Sequence, residues 1–136
     1  MTGPSRALLP LRIFLALVVA ATVGLALHMA RPWGDNYAYQ DASGYLALAG
    51  FLLWAVSPMA MLAWAAGLFG GSGTAMAVFA TGSACIALVG VHAYIDAAVL
   101  HPDAQGGLVF VFVPLVQWGV ATCLLAACLL LRRLSR

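Results

Sequence analysis

The chain has 136 residues, 65% of them hydrophobic and 7% charged, with a mean hydropathy of +1.04. A soluble domain carries roughly 25% charged residues and about 45–50% apolar ones. Six Arg and four Asp, with no Lys or Glu, are too few to solvate a globule of this length, and a formal net charge of +2 leaves no electrostatic footprint for nucleic acid. A soluble enzyme and a disordered chain are both excluded, and an integral membrane protein is expected.

A membrane helix needs about 20 mostly apolar residues to cross a hydrocarbon layer of about 30 Å. Four stretches qualify, at about 11–30, 43–68, 74–100 and 106–131, with only short tails and links left over. None shows the two-residue alternation of a barrel strand, so all four are expected to be helices. The links carry turn chemistry: Arg31-Pro32-Trp33-Gly34-Asp35-Asn36, then Gly70-Gly71-Ser72-Gly73 with Thr74 as a cap for the third helix, then His101-Pro102-Asp103 with Asp103 as a cap for the fourth. Links this short predict an all-α, up-down-up-down antiparallel bundle of four transmembrane helices, with consecutive helices side by side in a single domain over 1–136.

Arginine placement orients the bundle. Arg6, Arg12, Arg132, Arg133 and Arg136 flank one side and Arg31 alone the other, which predicts that both termini are cytoplasmic. Asp35, Asp41, Asp96 and Asp103 then fall on the outer side, where Trp33, Tyr37, Tyr39, Tyr45 and Tyr94 are expected to form an interfacial aromatic belt. A Lys-free, Ala-, Leu-, Gly- and Arg-rich composition fits a GC-rich bacterial genome, so the bacterial inner membrane is the expected location. The first apolar run ends Ala26-Leu27-His28 without small residues at the −3 and −1 positions of a cleavage site, which favours an uncleaved first helix over a signal peptide.

Asp41-Ala42-Ser43-Gly44-Tyr45-Leu46 and Asp103-Ala104-Gln105-Gly106-Gly107-Leu108 open the second and fourth helices alike. The match raises a tandem repeat of two hairpins about an axis along the membrane normal, against the simpler reading of two independent helix caps. Cys85, Cys123 and Cys128 lie inside spans with no metal or haem-attachment spacing, as small packing residues do.

Three polar positions within the spans stand out. His92 and Asp96, at i and i+4, share a face of the third helix, with His92 roughly 7 Å outside the midplane. Gln117 lies near the centre of the fourth helix, three residues after Pro114, which frees the carbonyl of Phe110. His92 is expected to face the bundle interior with Asp96 or Gln117 as its partner, because a lipid-facing imidazole leaves a ring donor unpaired. Ser57-Pro58 makes a second kink in the second helix.

Ala16, Ala20 and Gly24 form a ladder of small residues along the first helix, ending at His28, and are expected to be a close helix contact. His28 and His92 are the weak alternative as ligands of haem b. No cofactor, metal or nucleotide motif is otherwise present, and catalysis is not expected. Size and span count resemble those of small four-helix multidrug exporters, whose embedded first-helix glutamate has no counterpart here.

Two functional readings follow. The first is a small polytopic inner-membrane protein acting by helix–helix association, with the lipid bilayer and either itself or another membrane subunit as partners, and no nucleic acid. The second is a redox or proton-coupled carrier built on His92, Asp96 and Gln117.

Overall fold

The computed structural model describes residues 4–34, 41–70, 73–102 and 106–134. Asp35, Asn36, Tyr37, Tyr39, Gly71, Ser72, Asp103, Ala104, Gln105 and Arg136 lie outside the described residues, and so do the expectations attached to them. Four helices make up the fold: α1 Pro4–Ala30, α2 Ala42–Ala65, α3 Gly73–Ile95 and α4 Val109–Leu134. All four contain apolar spans of 23 to 28 residues, longer than a bilayer requires, and the chain is a multi-pass membrane protein.

Local chemistry explains the helix ends. α1 starts at Pro4, well before residue 11, because its early residues Leu8 and Leu11 are themselves buried in the core. It ends where Arg31 adopts a left-handed backbone with φ of 44° and donates its N–H to the Leu27 carbonyl at 2.9 Å, after which Pro32 ends the run. α2 is capped by Asp41, whose carboxylate accepts from the Gly44 N–H at 3.0 Å and from the Ser43 hydroxyl at 2.7 Å. Those two bonds, the Ser43 one first, hold the exposed Asp41 carboxyl below its ordinary pKa of 3.8.

Thr74 lies inside α3, which already begins at Gly73, so it does not cap that helix. α2 tightens into a 3-10 turn over Ala66–Phe69, and α3 widens into a π turn over Asp96–Leu100, closed by the His101 N–H on the Asp96 carbonyl at 2.7 Å.

Around the bundle the helices run α1, α2, α4, α3, so that α1 neighbours both α2 and α3 while α4 neighbours both α2 and α3. α2 and α3 therefore occupy opposite corners, which corrects the expectation that every consecutive pair lies side by side. The four residues Gly70–Gly73 reach about 13 Å when extended. Neighbouring helices lie 8–10 Å apart, giving a diagonal of about 11–14 Å that such a link can cross.

The same arrangement speaks against a two-fold repeat, which would set α1 opposite α3 instead of beside it. The two matching openings also differ: α2 is helical directly from Ala42, whereas Gly106–Leu108 forms a 3-10 turn before α4.

Two apolar clusters fill the interior. The larger, at the end that carries the N- and C-terminal arginines, joins Leu8, Leu15, Leu62, Phe69, Phe79 and Cys128, with Phe69 and Phe79 rings 4.8 Å apart. The smaller joins Ala26, Ala55, Tyr94 and Phe110, with Tyr94 stacked on Phe110 at 4.5 Å. Tyr94 thus belongs to the core and not to an interfacial belt, while Trp33 and Tyr45 are exposed as a belt requires. Outside, the bundle is apolar over most of its length, with Leu46, Leu53, Trp64 and Val89 largely exposed, a surface suited to lipid.

Candidate functional site

Polar groups concentrate on two interhelical seams. On the α3–α4 seam Gln117 is buried, and its Nε2 donates to the Ile86 carbonyl of α3 at 3.2 Å. This contact depends on Gly90. A Cβ there would overlap the Gln117 amide nitrogen and come within 3.0 Å of its Cδ, so the amide lies directly on bare backbone. About two helical turns further along the seam, a Cβ on Gly82 would meet the Leu124 methyls at 2.7 and 2.8 Å. Two glycines on α3 thus let α4 approach closely, as small residues do in membrane bundles.

The Gln117 Oε1, the Ser83 hydroxyl and the Tyr94 hydroxyl are buried without a hydrogen-bond partner among the described residues. Above Gln117 an apolar groove of about 200 Å³ opens outward between Val89 and Ala93 of α3 and Phe112, Val113 and Val116 of α4.

The α2–α4 seam is stitched near both interior prolines, Pro58 and Pro114. Pro58 has no N–H to give the Trp54 carbonyl, and the Ser57 hydroxyl donates to that carbonyl at 2.8 Å instead. Ser57 in turn accepts from the Trp118 indole N–H at 2.9 Å. In the other direction, the Trp54 indole N–H donates to the Val111 carbonyl at 3.3 Å, three residues before Pro114. Each proline-bearing helix therefore supplies an acceptor to a tryptophan of the other. Sequence reading singled out both prolines but not this pairing, because nothing in a single sequence says which helices face one another.

The three polar residues singled out from the sequence do not share a site. His92 is exposed on the outside of α3 and makes no hydrogen bond among the described residues, which corrects its expected inward placement. Asp96 pairs instead with His101, Oδ1 to Nδ1 at 2.9 Å, at the end of the π turn. The five-residue spacing of that turn brings His101 back over Asp96. Gln117 keeps to the interior with Ile86.

Ala16, Ala20 and Gly24 are exposed on α1, and nothing lies within 4 Å of a Cβ built on Gly24. The ladder is not a contact within the chain. His28 continues it and is exposed too, so neither His28 nor His92 turns toward the interior. Among the described residues no three His, Cys, Asp or Glu side chains come together to hold a metal. Comparison with protein-family models, with curated proteins and with solved structures finds no match.

Proposed function

We propose that the chain is a small accessory or structural subunit of a bacterial inner membrane, with both termini cytoplasmic and no catalytic chemistry of its own. Its work is helix–helix association. The observation that supports this reading is the open face of α1, where Ala16, Ala20 and Gly24 are exposed and the space beyond Gly24 is empty of the chain's own atoms. In lipid there is no hydrophobic drive between helices, and small residues earn close backbone approach and van der Waals contact instead. The partner is a second copy or another membrane subunit that packs a helix along this face.

Gly24→Leu tests the reading. Because the site is open within the chain, the variant is expected to keep the parent's thermal midpoint in detergent while losing cross-linked or co-purifying assemblies. Unchanged assembly would sink the proposal and assign the face to lipid. The carrier reading gains no comparable support, since His92, Asp96 and Gln117 have separate surroundings.

A further inference from the structure

The groove on the α3–α4 seam combines an apolar wall with a polar atom that packing leaves unsatisfied. Val89 and Ala93 of α3 face Phe112, Val113 and Val116 of α4 across it, and it opens outward. Gln117, only 6% exposed, lines its floor, with Nε2 committed to the Ile86 carbonyl. The other amide atom, Oε1, is buried with no hydrogen-bond partner among the described residues. It stands 3.6 Å from where a Cβ on Gly90 would be, and Gly90 lines the groove as well. The Ser83 and Tyr94 hydroxyls, buried in the same condition, do not line it.

An acceptor in hydrocarbon gains from any donor that reaches it, because no water competes for it. The terminal torsion of a glutamine side chain is broad and soft, so Oε1 can tilt toward the groove while Nε2 keeps Ile86. The best occupant is therefore apolar over most of its surface and carries one donor. Volume sets its size. A cavity of about 150 Å³ holds benzene, and the groove offers about 200 Å³, room for one ring with a small substituent. Depth sets its charge. Gln117 lies about 12 Å along α4 from Val109, its first residue. A phosphate or ammonium headgroup drawn that far into the membrane would lose its water at high cost. An acyl chain would suit the walls and leave Oε1 unpaired. A phenol meets all three conditions, with one ring, one donor and no charge at neutral pH. We propose that the groove binds the ring of a neutral phenol dissolved in the membrane, its hydroxyl donating to Gln117 Oε1. The site does not depend on what packs against α1.

NMR of the full chain in lipid nanodiscs, with isotope-labelled valine methyl groups, tests this by titration with para-butylphenol and its methyl ether, para-butylanisole. The ether keeps the ring and the chain but has no donor. At equal mole fraction in the bilayer, the phenol is expected to shift the Val89, Val113 and Val116 methyl signals. It should bind about fivefold more tightly than the ether, the factor that one net hydrogen bond gives. Gln117→Leu should bring the two compounds to equal affinity. Ala93→Phe, which places a ring in the groove, should abolish binding of both.

Equal binding of phenol and ether by the parent would assign the groove to acyl chains and overturn the proposal, as would undisturbed valine signals. A preference for the phenol that survives in folded Gln117→Leu would overturn the role of Oε1. Shifts that persist in Ala93→Phe would place the ligand elsewhere on the bundle and overturn the site. If Gln117→Leu does not fold, the phenol–ether comparison in the parent and in Ala93→Phe decides.

Discussion

The Gln117 amide rests on the bare backbone of Gly90, where a single added methyl group would occupy the space of its nitrogen. The bare backbone lets the buried amide reach its acceptor, the Ile86 carbonyl. Neither residue explains itself alone. Gly90 is needed because Gln117 is long, and Gln117 is tolerated in the interior because Gly90 exposes backbone to it.

Gly90→Ala is therefore expected to destabilise the protein by about 1–3 kcal/mol, the range for overpacking a tight contact. Gln117→Ala should remove the clash, so the double variant Gly90→Ala with Gln117→Ala is expected to be more stable than the two single losses predict by addition. Unfolding in detergent, measured for all four proteins, gives the coupling directly.

On the α2–α4 seam, Ser57→Ala removes both the donor to the Trp54 carbonyl and the acceptor for Trp118. Interhelical hydrogen bonds in membranes average about 0.6 kcal/mol with a maximum near 1.7, and the loss is expected within that range. Trp118→Phe should add little on the Ser57→Ala background, because the bond it would remove is already gone. Tryptophan fluorescence should report the same event, with the Trp118 contribution altered by Ser57→Ala.

His92→Leu is expected to leave stability unchanged or to raise it. An imidazole on the outside of α3 has nothing of the bundle to lose, and replacing it with leucine removes a polar group from a lipid-facing surface. Thermal midpoints of the parent and the variant in the same detergent settle the point, and a marked loss of stability would contradict the outward placement.

The Asp41 cap carries a pH signature. Its carboxyl is held below 3.8 in the folded chain by the Ser43 and Gly44 bonds, so its stabilising effect on α2 is fully present above that value. The effect is lost as pH falls through the lower, folded value, when protonation removes the acceptor charge. Asp41→Asn keeps an acceptor and is expected to flatten this acid dependence, whereas Asp41→Ala should fray the first turn of α2 at every pH, as amide exchange of Gly44 would show.

Topology is open to reporter fusions. Fusions at the C-terminus and in the link around Asn36 are expected to report opposite sides, with the C-terminus cytoplasmic, as the arginine distribution predicts.

What the residues alone determined was everything that depends on local sums. Hydropathy over some twenty residues marks the spans and Asp41 marks the start of α2, because each effect acts within a few positions of its cause. Which side of each helix faces inward was decided only by the tertiary structure. In a soluble bundle the apolar stripe points to the core, but these helices are apolar on all sides, since lipid outside and packing inside ask for the same side chains. Hence Tyr94 is core and His92 is not, the small ladder of α1 looks outward while Gly82 and Gly90 do the close packing, and Asp96 belongs to His101 through a π turn that no periodicity announces. The placing of α2 beside α4 and not beside α3 was likewise decided only in space: the Trp118 indole meets the Ser57 hydroxyl, the Trp54 indole meets the Val111 carbonyl, and link length permits it.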